Sequence, residues 1–418
     1  MNDLSKIRDI PATEKQRSSE ASSLRGANVS SAAQHNRKII LHAIRARGEV
    51  TCGELAELIG LSPPAVFKIA RRLHEEGWIA RSRVNEKARG QPTHALRLNP
   101  DAAFGLGLNV DRDHLTLVAV DFAGKVRRRF QLSTSFAGPA EVRFFVANCL
   151  RDLRNDTFAP VSRIAGLGAA VPYDLALANL RDKSLWPREW DQKGLVKLLE
   201  GIVDARVVQE SYGAAAAIGE MLFGAGLEIS SFFYLLIGDG LSSGLIIDNQ
   251  YVRGAHGRGA ELGALPHGGA QINAQDLRKS LGDAVSLLTL LNELRGLGYG
   301  YLTMESLDRL DARGQAVIER WIDRVAETLY FPLFAVICTV DPNAIVIGGP
   351  LPGGIIQRLC YKIRKLFAAT AGIHWQDMVV RPARVVLDPA AVGAAVLAFQ
   401  EIWASDVQWT ACLPGQNP

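Results

Sequence analysis

The sequence predicts an α/β protein in two unequal parts, a small basic helical head and a long body of mixed strands and helices. Three observations carry this. Residues 34–100 hold 12 Lys/Arg against 6 Asp/Glu, whereas residues 101–418 hold 30 against 33. Apolar residues in the head recur at helical spacing. From about Asp101 the texture changes to short apolar strands between amphipathic helices, the pattern of an α/β architecture. A length of 418 residues suits two or three domains, and 48% apolar with 22% charged residues is a globular composition.

Composition also excludes. No run of about 18 apolar residues is present, so no membrane span is expected. The polar N-terminus lacks the apolar core of a signal peptide. The five cysteines, Cys52, Cys149, Cys338, Cys360 and Cys412, are scattered, with no CxxC or Cys/His cluster. Neither a disulfide framework nor a metal site is expected, no cofactor is called for, and a reducing cytoplasm is the expected home.

Residues 1–33 are rich in Ser, Ala and charge without an apolar period, and are expected to form a mobile tail. The head follows over residues 34–100. A first helix is expected over Asn36–Arg47, with Ile39, Ile40, Ala43 and Ile44 on one face. Thr51–Arg72 then reads as two short helices around a tight turn at Gly60, with Leu55, Ile59, Leu61, Val66 and Ile69 spaced to bury one seam. Thr51 and Ser62 are placed to cap these helices, and Pro63 and Pro64 fall in a first turn, where a missing amide proton costs little. This is the pattern of a helix-turn-helix, whose second helix enters the DNA major groove.

Trp78–Ser82 and His94–Leu98 read as paired strands flanking the basic stretch VNEKARGQP. Three helices and this hairpin make a winged helix. Ser62, Pro64, Lys68, Arg71 and Arg72 on the second helix of the motif are the expected DNA contacts, Lys68, Arg71 and Arg72 through phosphates and guanine edges. Phe67 is either packed or a thymine-methyl contact. On the hairpin, Arg81, Arg83, Lys87, Arg89 and Gln91 are the expected contacts, with Arg89-Gly90-Gln91-Pro92 at the tip as a minor-groove probe. An ordinary exposed turn is the alternative for the tip.

In the body, strands are expected at Phe104–Val110, Leu115–Val120, Arg163–Val171, Val203–Val208 and Ala344–Ile347. A hairpin is expected from Ser231–Ile237 and Gly244–Asp248, and helices at Tyr212–Phe223, Asp283–Leu294 and Gln315–Cys338. A hairpin at the start of each half suggests an internal duplication. Gly240-Leu241-Ser242-Ser243-Gly244 satisfies the G-x-S-x-G nucleophile elbow, but an apolar strand rather than a helix follows it, so Ser242 is not expected to be a nucleophile.

Four segments carry a resemblance to a known family. They are the strand pair of Phe104–Gly124, the strings GDGLSSG (238–244) and GAHGRGAELG (254–263), DPNAIVIGGPL (341–351), and Val392-Gly393-Ala394-Ala395. On these the chain resembles the ROK family, in its transcriptional-regulator branch, over roughly residues 35–400. The resemblance implies an actin-like, hexokinase-like fold. Its first lobe would span residues 101–225, joined by a C-terminal helix at about 390–405, and its second lobe residues 226–389. It also implies a sugar cleft between the lobes and a homodimer or homotetramer.

The residues depart from the family's kinases where chemistry is done. The DIGGTK-type phosphate turn here reads Asn109-Val110-Asp111-Arg112-Asp113-His114, with two carboxylates where phosphate would sit and no glycine. The Asn-Asp pair that supplies the catalytic base is Ser211-Tyr212, and tyrosine is a poor base at neutral pH. The histidine of the family's zinc site is Ala264, so that zinc is not expected. Glu261 matches the family's sugar-binding glutamate; a structural carboxylate beside a tight turn is the other reading. Ser211, Tyr212, His256 and Tyr173 complete the candidate effector site, and Tyr173, Tyr212, Trp186 and Trp190 are either ligand-stacking or core aromatics.

The expected function is therefore a DNA-binding regulator of carbohydrate uptake or catabolism genes, a repressor. Its partners are a double-stranded operator and a sugar or sugar-derivative effector, and it is not expected to be an enzyme. The alternatives are an active ROK-type carbohydrate kinase with an added DNA-binding domain, and a constitutive DNA-binding protein with a vestigial cleft.

Overall fold

The computed structural model describes residues 29–83, 94–154, 161–172, 194–257, 259–267, 280–300, 302–369 and 378–399. The head contains α1 (Val29–Arg47), β1 (Val50–Thr51), α2 (Cys52–Ile59), α3 (Pro63–Glu75), β2 (Ile79–Arg83) and β3 (His94–Leu98), with strand order β1-β3-β2. Thr51 caps α2 in a reciprocal box: its hydroxyl accepts from the Glu54 amide, and its own amide donates to the Glu54 carboxylate at 2.7 Å. Gly60 closes α2 in the left-handed region at φ 66°, where a side chain would be strained. Leu55, Val66, Ala70 and Leu73 meet Ile40, Leu41 and Ile44 in the head's core, with Ile59, Leu61 and Ile69 packed at its edge. Antiparallel pairing runs from Ile79 opposite Leu98 to Arg83 opposite His94, so both hairpin strands are present.

Two expectations for the head are corrected. The first helix begins at Val29 rather than Asn36, so residues 29–33 are helical and not tail. Ser and Ala give no apolar period there to reveal a helix that their propensities tolerate. The rest of the expected tail, residues 1–28, lies outside the described residues. Ser62 occupies the N-cap of α3 but makes no side-chain capping bond. Pro63 and Pro64 fill the first two helical positions and remove an amide such a bond would use.

The body is built on two five-stranded sheets. The first holds β4 (Phe104–Val110), β5 (His114–Asp121), β6 (Val126–Ser133), β7 (Ile164–Val171) and β8 (Arg206–Ser211), in order β6-β5-β4-β7-β8. The second holds β9 (Phe232–Ile237), β10 (Leu241–Ile247), β11 (Gln250–Tyr251), β12 (Ala344–Gly348) and β13 (Val379–Pro382), in order β11-β10-β9-β12-β13. Each is an antiparallel meander followed by two parallel strands in the same relative places, the duplication that the two hairpins suggest. Helices α4 (Pro139–Arg154) and α5 (Gly194–Glu200) serve the first sheet. Buried α6 (Tyr212–Phe223) leads into the second half, where α7 (Leu287–Gly296), α8 (Ala312–Val340) and α9 (Gly353–Ala368) pack around Trp321. At the C-terminal end α10 (Pro389–Leu397) returns to the first sheet. Glycines make that return close: a Cβ on Gly107 would lie 1.8 Å from the Ala391 carbonyl oxygen.

Two boundaries move. β8 is Arg206–Ser211 rather than Val203–Val208, because its register with β7 pairs Gly166 with Arg206 and Val171 with Ser211. The helix expected at 283–294 is interrupted: Leu281–Ala284 is a separate turn of helix, and Ser286 caps α7 by accepting from the Leu288 amide at 3.0 Å. Among the described residues no helix is long and apolar enough to cross a membrane.

Head and body share one apolar core. The Trp78 ring lies 5.1 Å from Phe122, which meets Phe399 edge-on at 5.7 Å. Buried Arg45 of α1 lies over the Phe223 ring at 6.0 Å, where α6 ends. Asn99 ties the junction, its amide donating to the Trp78 carbonyl at 2.9 Å and its side chain to the Gly77 carbonyl at 2.7 Å.

Candidate functional site

The helix-turn-helix presents α3 outward. Val66, Ala70 and Leu73 bury one face, and Ser62, Pro64, Phe67, Lys68, Arg71 and Arg72 are exposed on the remainder. Arg71 and Arg72 donate to Glu75 and Glu76, one turn on, at 2.8 and 2.9 Å. Exposed pairs of this kind are worth only about 0.3–0.5 kcal/mol, so a phosphate competes for either guanidinium. Among the described residues Lys68 makes no ion pair. Arg81 is exposed on β2, and Arg83 closes that strand. Lys87, Arg89 and Gln91, with the whole hairpin tip, lie outside the described residues. Of the two readings of Phe67, packing is excluded, since the ring is 55% exposed.

The second candidate site lies where the two sheets meet. Ser211 ends β8 and caps α6; its hydroxyl donates to Glu261 Oε1 at 2.8 Å. From the other sheet, Ser242 on β10 donates to the same oxygen at 3.2 Å and accepts the Gly213 amide at 3.0 Å. Burial pushes the Glu261 carboxyl up to about 7, with the Ser211 and Ser242 hydrogen bonds pulling it back. The neighbouring Tyr212 hydroxyl donates to the Val110 carbonyl at the end of β4. Ser211 and Glu261 are thus brought together, while the Tyr212 hydroxyl is directed to Val110. His256 is exposed on the 254–257 turn, and no described hydrogen bond or ion pair ties it to Glu261. Tyr173, Trp186 and Trp190 lie outside the described residues. Ser242 entered the sequence reading only as a rejected nucleophile. Its position within a strand agrees with that rejection, and its use is to hold Glu261.

Asp111 and Asp113 of the β4–β5 turn meet Asp239 of the β9–β10 turn, with carboxylate oxygens within 4.8 Å of one another. Asp113 is bonded to His114 and sits below the usual carboxylate range for that reason. Asp239 is pushed up to about 6 by burial and then by Asp111 and Asp113, against the pull of Arg112 and His114. Such a cluster repels an anionic phosphate; an oxygen donor set of this kind suits a hard divalent cation.

Two family models match the chain, one over the head and one over the body. Residues 37–90 match the MarR family and residues 106–282 the ROK family. An uncharacterized protein, y4fQ, of Sinorhizobium fredii is 25% identical over 83% of this chain and 86% of its own. The xylose repressor of Caldicellulosiruptor bescii is 22% identical over 75% of this chain and 83% of its own. Among solved structures, a ROK family transcriptional regulator described as a homologue of the E. coli MLC protein superposes with a TM-score of 0.64. It is 17% identical and covers 89% of this chain and 96% of its own. A ROK glucokinase from Streptomyces griseus superposes at 0.56, with 21% identity over 71% of this chain and 100% of its own. The chain carries a MarR-type helix-turn-helix domain followed by a sugar-kinase-like ROK domain.

Proposed function

We propose that this chain is a transcriptional repressor of carbohydrate uptake or catabolism genes, binding duplex operator DNA through its head and sensing a sugar or sugar derivative at Glu261. The observation that carries the reading is α3, with its apolar face in the core and its cationic face in solvent. Named repressors among the relatives support the same reading. Lys68, Arg71 and Arg72 engage phosphates and base edges from the major groove, with Ser62 and Pro64 at the entering end of the helix and Arg81 serving the hairpin. Arg83, Lys87, Arg89 and Gln91 extend the contact along the hairpin, Arg89 into the minor groove. A homodimer or homotetramer sets two heads on a palindrome.

Glu261 accepts hydroxyls of the effector, with Ser211, Tyr212, His256 and Tyr173 as the further candidate contacts. Phosphoryl transfer is disfavoured by the acidic β4–β5 turn and by a tyrosine, bonded to a backbone carbonyl, where a base is needed. Effector occupancy reaches the head through α6, about 18 Å of buried helix with Ser211 at one end and Phe223, beneath Arg45, at the other.

The test is operator binding by the full chain on duplexes selected from a random library. Lys68→Ala and Arg71→Ala should each weaken binding about 3- to 10-fold and flatten the salt dependence by about one unit of log–log slope. Unchanged affinity and slope in both would overturn the reading. Sugar-dependent ATP turnover abolished by Glu261→Gln would favour the kinase alternative, and no thermal shift across a panel of pentoses and hexoses the vestigial-cleft alternative.

A further inference from the structure

We infer that Phe67 reads thymine: its ring covers the C5-methyl group of a T·A pair in each half-site of the operator. The inference rests on the DNA-binding reading above and goes beyond it by naming a base and a residue. The first five positions of α3 are Pro63, Pro64, Ala65, Val66 and Phe67, and none carries a hydrogen-bonding side chain. Charge begins only at Lys68 and continues at Arg71 and Arg72. The outward face of α3 is therefore divided, apolar over its first turn and a half and cationic beyond.

The N-terminal part of a recognition helix is the part that meets base edges. Guanine and adenine are read there by Arg, Lys, Asn or Gln, which this part of α3 lacks. The thymine methyl is the apolar group that the major groove presents, and it needs an apolar partner. Phe67 is that partner by position. Positions 63, 64, 67 and 71 share one helical face, so the ring lies between the prolines and a guanidinium. The ring is 55% exposed although its neighbour Val66 is fully buried, and among the described residues no other aromatic ring or cation lies against it. Lys68 and Arg71 beside it commit the occupant of this face to a polyanion and not to an apolar protein surface.

The test replaces single thymines by uracil, which removes the methyl and leaves base pairing intact. Random duplexes enriched on the full chain supply the operator, and each thymine is scanned at fixed salt. For the parent chain, at least one uracil per half-site should weaken binding about four-fold, the factor that corresponds to burying one methyl group. Phe67→Ala should bind the thymine and uracil duplexes equally, and Phe67→Leu, which keeps an apolar side chain, should retain the preference. Because the ring is exposed, an unchanged thermal unfolding curve is expected for both variants. A scan in which no uracil matters, or a Phe67→Ala protein that still prefers thymine by four-fold, overturns the inference and leaves DNA binding standing. Failure of the parent chain to enrich any duplex overturns both, and is told apart by that control.

Discussion

Glu261 shows what one carboxyl does when burial takes it out of water by more than two hydroxyls can offset. Folded, it binds its proton up to about pH 7, well above an ordinary glutamate. Its contribution to stability is therefore complete below about pH 4.5 and is lost as pH rises through about 7. Glu261→Gln, which removes the ionisation and keeps the shape, should stabilise the chain by roughly 1–2 kcal/mol at pH 8 and by little at pH 4, read by urea denaturation. A sugar hydroxyl that donates to this group is held more strongly by the carboxylate than by the neutral acid, so sugar affinity should fall from pH 8 to pH 6, as read by titration at the two pH values. Glu261 was legible in the sequence because it lies within a recognisable glycine-rich string. Ser242 was not, since a single serine in a strand carries no sign of which carboxylate it will meet from a loop 19 residues on. Asp239 was equally silent: its raised proton affinity comes first from burial and then from Asp111 and Asp113, far back in the chain, and only folding supplies either.

At the scale of elements, the centre of the body is assembled by helices that touch through backbone. A Cβ on Gly393 of α10 would lie 1.7 Å from the Ala215 carbonyl oxygen of α6, and one on Gly213 would lie 2.2 Å from the Ser243 amide. Gly393→Ala should therefore part α6 from α10 and cost about 1–3 kcal/mol or more, measured as a lower urea midpoint. Elements whose signal is local were readable in advance. The Thr51 box, the Gly60 turn and the apolar run of β9 are set by neighbours in the chain. What was misread carries no comparably strong local signal. β8 takes its limits from β7 across the sheet, and the break before α7 comes from a single serine cap within an otherwise helical pattern. The matching order of the two sheets could be suspected from the paired hairpins but needed the parallel strands to be seen.

For the whole molecule, the decisive contact is the one between head and body. Phe223 packs its ring on Gly124, where a Cβ would lie 2.3 Å from it, and carries Arg45 of the head above. Burial lowers the Arg45 guanidinium to about 9, so it remains charged at neutral pH and keeps its hold on the ring. Phe223→Leu should leave the sugar-induced thermal shift and the sugar-free operator affinity within about two-fold of the parent, yet reduce sugar-driven operator release by about five-fold or more. Equal release by both proteins would remove α6 from the path. The aromatic cluster of Trp78, Phe122 and Phe399 has one more consequence. A head fastened this way is not on a tether, so in a two-fold assembly the pair of heads becomes a ruler of fixed length. Inserting about 5 base pairs, half a helical turn, between operator half-sites should abolish binding, and inserting a full turn should not bring it back.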